Sequence, residues 1–453
     1  MASIEPNGRS HFSSRLGFVL AAAGAAVGVG NIWGFPTQAA SHGGGAFLLA
    51  YLVLIFALAY PVLVAELLIG RHGQANSVRS LQKLANGPWQ RRGAALTGLA
   101  GIVTVALVLS FYAIVAGWLI SFMVGAGLRL VGLLEAAGWV ESFGLARNLL
   151  FTLAFLALTG HVVGRGVNAG LEAWSKRLMP VLFVLLLALI AFMFTQDGAT
   201  EGLRRYLSPD LAQLFHPELL LSATGQAFFS LGLGVGAMMV YGSYLSRDSH
   251  LPRLALSVTL LDTSVAFLAG LLILPAMYAA KALGVSIFAA DGSLISSSTL
   301  VFDLLPALFA TMGDFGPWLA LAFFLLMAIA GITSSINILE LPVSFVSEET
   351  RLNRGQSTWL LTLAVATVSV LILLNFEALF GLVIALTTQY LQPLVGLMLC
   401  LFAGWIWHRD RCLRALAEGA PELAQTPFLG FWHWYVRLIC PLLILGLLAQ
   451  TLR

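Results

Sequence analysis

Apolar runs as long as a bilayer is thick recur along this chain. "FLLAYLVLIFALAYPVLVAELLIG", residues 47–70, carries a single charge, and "LALAFFLLMAIAGITSSINILELPVSFV", residues 319–346, is almost as apolar. About 20 such residues are needed to cross a ~30 Å hydrocarbon layer as a helix. In lipid every backbone polar group must be satisfied internally, so only helices and closed barrels span it. Runs of this length without strict alternation specify helices. Charged residues make up 10% of the chain and hydrophobic ones 59%, against about 25% charged in soluble domains. The reading is an all-α integral membrane protein with no sizeable soluble domain.

Eleven spans are predicted, roughly 12–37, 43–71, 94–128, 145–162, 172–195, 219–245, 253–282, 315–348, 357–374, 378–408 and 430–452. The cations Arg9, Arg15, Arg71, Arg79, Lys83, Arg91, Arg92, Arg165, Lys176, Arg177, Arg247, Arg253, Arg351, Arg354, Arg409, Arg411 and Arg414 fall in alternate loops, which places those loops in the cytoplasm. The N-terminus is then cytoplasmic and the C-terminus outside. The net charge of +3 is spread in this way and forms no nucleic-acid stripe. The start "MASIEPNGRSHFSSRLG" reads as a retained tail rather than a signal peptide. Cys400, Cys412 and Cys440 lack metal-ligand spacing, so neither a disulfide nor a metal centre is expected. The polar 284–314 segment is expected outside, as a lid.

Two spans carry helix-breaking composition. "GAAVGVGNIWGFP" (24–36) lies in the first and "SLGLGVGAMM" (230–239) in the sixth; each interior glycine costs about 1 kcal/mol relative to alanine. Either alone reads better as close helix packing through small residues. Matched breaks five spans apart point instead to an inverted five-plus-five repeat with a binding site at the breaks. The repeats are about 12–195 and 219–408, followed by an extra helix at about 430–452, all in one transmembrane unit over 1–453. Freed carbonyls suit a cation, and half-helix N-termini suit a carboxylate.

Polar residues inside the spans are then candidates. Asn31 follows the first break; it reads as a ligand or as interhelical glue. Thr333 and Ser334 read as ligands or as hydroxyls bonded to the preceding turn. Asp262 near mid-membrane calls for a cation. Glu66 and Glu340 read as solvated or packed charges at cytoplasmic helix ends.

"RLGFVLAAAGAAVGVGNIWGFP", "GGGAFLLAYL", "AELLIGR", "FFSLGLGVGAMMVYGSYL" and "AGITSS" together resemble the signatures of the neurotransmitter:sodium symporter family, in particular its bacterial amino-acid transporters. The resemblance runs from about Arg9 to the end. It implies a first sodium site at the Ala26 carbonyl, Asn31, Ser230, Asp262 and the substrate carboxylate. A second falls on the Gly24, Val27 and Ala330 carbonyls with the Thr333 and Ser334 hydroxyls. The implied substrate site comprises Ala26, Gly28, Gly30, Val108, Tyr112, Phe229, Ser230, Gly232, Val235, Ser334 and Ile338. Tyr112 would bond the carboxylate and Phe229 would close over the substrate.

Gly28 stands where amine-transporting relatives place an aspartate, which implies an amino acid. Gly232 and Val235 replace larger residues of leucine-binding relatives and imply a large hydrophobic L-amino acid, aromatic or branched. Asp262 stands where chloride-dependent relatives are neutral, which implies no chloride requirement. Arg9 and Glu348, with Phe12 and Tyr244, match the family's cytoplasmic gate, joined by Arg15 and Glu340. The usual outer ion pair is replaced by Gly34 and Ile384, so an outer gate of Phe229, Tyr112 and apolar packing is expected, with Trp33 contributing.

The function implied is sodium-coupled import of amino acids by alternating access across a bacterial inner membrane. The rivals are a channel, a proton-coupled carrier in which Asp262 titrates, a sensor that binds without turnover, and a membrane enzyme. The clustering of polar residues at one depth disfavours a channel. No nucleophile, base or metal constellation favours an enzyme.

Overall fold

The computed structural model describes residues 11–285, 287 and 300–451, and all regular structure among them is helical. The first span is broken into α1 (Arg15–Ala26) and α2 (Gly30–Ser41), bent by 57°. Then follow α3 (Gly45–Gly73), α4 (Pro88–Leu130), α5 (Leu145–Gly164) and α6 (Val167–Met193). The sixth span is broken into α7 (Pro217–Ser230) and α8 (Ala237–Ser243). The chain continues with α9 (Leu251–Ala282), α10 (Gly316–Glu349), α11 (Arg354–Leu374), α12 (Phe376–Ile406) and α13 (Phe428–Thr451).

Among the described residues nine helices are long and apolar enough to cross a membrane, or ten with the bent pair α1–α2. The α7–α8 pair, interrupted over 231–236, lies where the sixth span is predicted. Helix starts are set by local chemistry. Ser14 caps α1 by accepting the Gly17 N–H at 3.0 Å. Asn353 and Gln356 form a reciprocal capping box on α11. Short helices that apolar length could not reveal lie in the connections, at Ser77–Gln82, Leu134–Glu141, Ala199–Leu207 and Arg409–Ala417.

Part of the expected lid is described. A π turn at Leu300–Leu304 leads into a helix at Leu305–Ala310. Phe302 is buried against Trp33, Trp118 and Phe122, with ring centroids 5.1–5.8 Å apart. Residues 286 and 288–299 of that segment lie outside the described residues.

The helices approach closely through glycines that admit no side chain. A Cβ on Gly70 of α3 would lie 1.8 Å from the Met239 carbonyl oxygen, and one on Gly242 of α8 would lie 2.4 Å from that of Leu67. These paired contacts seat α8 on α3, as small residues do between membrane helices. Gly70→Ala is therefore expected to lower stability by roughly 1–3 kcal/mol, read as a reduced melting temperature in detergent. Gly446→Ala, whose Cβ would meet nothing within 4 Å, should leave it unchanged or slightly raised.

Candidate functional site

The two breaks have different causes. In the second, Gly232, Gly234 and Gly236 adopt φ of +60°, +82° and +83°, a region that side-chain-bearing residues rarely enter. In the first, no residue has positive φ; α1 stops because Val27 turns extended at φ −68°, ψ 104°. The glycines there make room. A Cβ on Gly28 would lie 2.7 Å from Ser334 Oγ and 3.3 Å from Tyr112 Oη, and one on Gly30 would lie 3.0 Å from Phe229.

The groups freed by the first break face α10. Ser334 Oγ donates to the Val27 carbonyl at 3.0 Å and lies 3.5 Å from that of Gly24. Thr333 Oγ1 bonds to its own helix, to Ile329 and Ala330 carbonyls at 3.0 and 3.1 Å, while its Cβ approaches Gly24. Gly24, Val27, Ala330, Thr333 and Ser334 thus form one buried, oxygen-rich cluster.

A second cluster lies across the breaks. Asn31 Nδ2 donates to Asp262 Oδ1 at 2.7 Å and to Ser230 Oγ at 3.0 Å. Ser230 Oγ donates to Asp262 Oδ2 at 2.7 Å. The Gly28 N–H donates to Asn31 Oδ1 at 3.1 Å, and Tyr51 Oη lies 3.2 Å from Ser230 Oγ. Asp262 is fully buried and takes its hydrogen bonds from neutral side chains.

Of the two readings of Glu66, packed and solvated, the structure shows the packed one: the side chain is fully buried, and its Oε1 accepts the Gly234 N–H at 2.8 Å. Gln392 Nε2 donates to the adjacent Leu233 carbonyl at 2.8 Å. The unwound backbone between α7 and α8 is therefore held by one acceptor from α3 and one donor from α12. Glu340 is likewise packed. It is fully buried and accepts Tyr244 Oη at 2.6 Å and Arg354 Nη2 at 2.5 Å.

All the predicted substrate residues line one cavity of about 90 Å³: Ala26, Gly28, Gly30, Val108, Tyr112, Phe229, Ser230, Gly232, Val235, Ser334 and Ile338. Asn31 lines it too, and Asp262, Thr333, Ala330, Gly24 and Val27 stand behind the wall. The reading missed Val105, Met238, Asn337 and Gln392, among others in the lining. Asn337 and Gln392 carried a signal, as polar residues inside predicted spans. A larger cavity of about 410 Å³ adjoins it, lined by Gln38, Phe111, Gln226, Ile384, Thr388 and Gln392. Phe229 belongs to both walls.

Around the expected outer gate, Gln226 takes the space beside Gly34. Its Oε1 would lie 3.8 Å from a Cβ there, and its Nε2 donates to the Gly30 carbonyl at 3.2 Å. Ile384 lines the larger cavity, whereas Trp33 packs edge-on to Phe302 and lines neither. At the other end, Phe12 packs against Phe18, Tyr241 and Tyr244 at 5.4–6.2 Å. Glu348 accepts the Asn76 backbone N–H at 2.8 Å, and Glu349 pairs with Arg79 at 2.5 Å. Ser13 binds Glu172, which pairs with Lys176 at 2.6 Å. Arg9 lies outside the described residues.

This arrangement can bind a zwitterion beside hard cations through oxygen donors alone. The sequence profile of the sodium:neurotransmitter symporter family matches residues 9–129 and 132–453. An uncharacterized sodium-dependent transporter of Bacillus subtilis, YhdH, is 34% identical over 449 residues, covering 96% of each chain. Another from Methanocaldococcus jannaschii is 28% identical, covering 96% of this chain and 89% of its own. The crystal structure of MhsT in complex with L-phenylalanine superposes with a TM-score of 0.84 at 35% identity, covering 98% of this chain and 100% of MhsT. The chain is a membrane-embedded secondary transporter rather than an enzyme, and it belongs to the sodium:neurotransmitter symporter family.

Proposed function

We propose that this protein imports large hydrophobic L-amino acids, aromatic or branched, together with sodium and without a chloride requirement. The observation that carries this reading is the meeting of both broken spans on one cavity flanked by two oxygen clusters. Asn31, Ser230, Asp262 and the Ala26 carbonyl would take one sodium ion, completed by the substrate carboxylate. Gly24, Val27, Ala330, Thr333 and Ser334 would take a second. Sodium and substrate then bind better together than apart, and the coupling is reciprocal.

Several features support the substrate class. Among the described residues no acidic side chain lines the cavity to meet a cationic amine. A Cβ on Gly232 would meet nothing within 4 Å, so space is open beside the second break. The structural relative MhsT holds L-phenylalanine. Tyr112 Oη is buried in the cavity wall beside Ser334, where a donor to a carboxylate would stand. Asp262 supplies the negative charge that chloride provides elsewhere in the family. The protein sits in a bacterial inner membrane with its N-terminus cytoplasmic and its C-terminus outside. Alternating access rocks the spans carrying the breaks against the remainder, with Phe229 between the outer and inner cavities. Arg9 and Glu348 with Phe12 and Tyr244 form the cytoplasmic gate.

In proteoliposomes, an inward sodium gradient should drive concentrative uptake of labelled large hydrophobic L-amino acids. Uptake driven by a proton gradient alone would favour proton coupling, and binding without concentration would favour a sensor. Replacing external chloride by gluconate should leave the rate unchanged; a collapse would defeat chloride independence. Asp262→Asn should lower sodium-driven uptake roughly tenfold or more, within the range of a lost coupling interaction.

The buried Glu340–Arg354 pair gives a separate test of the cytoplasmic gate. Arg354→Gln leaves Glu340 buried without its cation, a loss that costs about 3–5 kcal/mol in comparable pairs. A cysteine placed in the cytoplasmic pathway should then be labelled faster than in the parent. Unchanged labelling would remove this pair from the gate.

A further inference from the structure

The cavity has a second polar end, at Asn337. This side chain is 2% exposed and lines the cavity. Its Nδ2 donates to the Thr333 carbonyl at 2.5 Å. A carbonyl only accepts, so the amide is oriented by that bond and Oδ1 is the atom left over. That oxygen is buried and has no hydrogen-bond partner among the described residues. Among the cavity-lining residues the only other such atom is Tyr112 Oη.

The positions of the two atoms matter. Ser334, Asn337 and Ile338 stand at i, i+3 and i+4 on α10 and share one helix face. Ser334 lies at the first break, close to Gly28 and Tyr112. Asn337 is displaced from it along α10 by nearly one turn, ~5 Å. Apolar residues of the same lining include Ala25, Val105, Val235 and Met238. A substrate whose carboxylate meets Tyr112 and the broken backbone would extend its side chain toward Asn337.

We propose that Asn337 Oδ1 accepts a hydrogen bond from the substrate's side chain, so that the site selects large L-amino acids with a donor at the far end. Tryptophan, with its indole N–H, and tyrosine, with its phenolic O–H, satisfy this; phenylalanine and leucine do not. The inference rests on the amino-acid reading of the cavity given above and narrows it. A site that holds a buried acceptor discriminates strongly against an analogue lacking the donor, because the acceptor is then left unpaired. An apolar pocket alone separates similar side chains far less.

The test compares L-tryptophan with 3-benzothienyl-L-alanine, in which sulfur replaces the indole N–H at nearly the same shape. Both compete with labelled L-tryptophan for sodium-driven uptake by the full-length chain in proteoliposomes. Tryptophan should inhibit at a concentration ~10-fold or more below that of the analogue. In Asn337→Leu the two should differ by less than about twofold, while residual uptake of tryptophan persists. Equal potency in the parent chain overturns the inference, and so does an unchanged ratio in the variant. Asn337→Ala is read in the same way if the leucine variant does not assemble. Absence of uptake for every amino acid would fail the transport reading instead. Thermal stabilisation of the purified chain by the two compounds would then still decide the role of Asn337.

Discussion

A peptide group freed from its helix in the middle of a bilayer has no water to turn to, and unpaired it costs several kcal/mol. Everything at the centre of this protein follows from how that cost is met at two places. At the first break, Ser334 and Asn31 reach the loose backbone from α10 and from the restarting helix. At the second, Glu66 and Gln392 do so from α3 and α12. Each break is therefore stitched to other spans, and its conformation is tied to where those spans stand. A ligand that replaces one of these hydrogen bonds acts on the packing of helices as well as on the site.

The glycines divide the same labour in two ways. Gly232, Gly234 and Gly236 supply backbone angles that other residues resist. Gly28 and Gly30 supply the absence of a side chain, so that Ser334, Tyr112 and Phe229 can close on the backbone. A sequence displays both as glycine and cannot tell one use from the other. The distinction has a functional side. Replacing a glycine that sets an angle disturbs the break itself, whereas replacing one that gives space disturbs what the break can receive.

Much of the architecture was legible in the sequence because its causes are local. Long apolar runs set the spans, and two glycine-rich interruptions set the breaks. Asn31 and Asp262 could be suspected singly, since a polar residue at membrane depth is conspicuous, whereas Ser230 entered only through the family resemblance. What escaped was set by contacts remote in sequence. Glu66 looks like an end charge until its partner, the Gly234 N–H 168 residues away, is seen. Gln392 and Asn337 likewise gain meaning only from the cavity they border. The short helices between spans, such as Leu134–Glu141, were missed because they are neither long nor uniformly apolar.

The surroundings of the N-terminal tail and those of the larger cavity are held by different chemistry. Near the N-terminal tail lie Glu340 with Arg354, Glu349 with Arg79 and Glu172 with Lys176. Around the larger cavity the contacts are uncharged: Ser222 donates to Gln38 at 2.6 Å, and Gln226 to the Gly30 carbonyl. Separating a buried ion pair strands charge in a poor solvent, and Glu340 in particular is fully buried. Parting two amides or hydroxyls exposes groups that water solvates readily, at a net loss of about 1 kcal/mol per hydrogen bond. Gly34 and Ile384, beside and in the wall of that cavity, are uncharged as well. Parting the uncharged contacts around the larger cavity therefore costs less than separating Glu340 from Arg354.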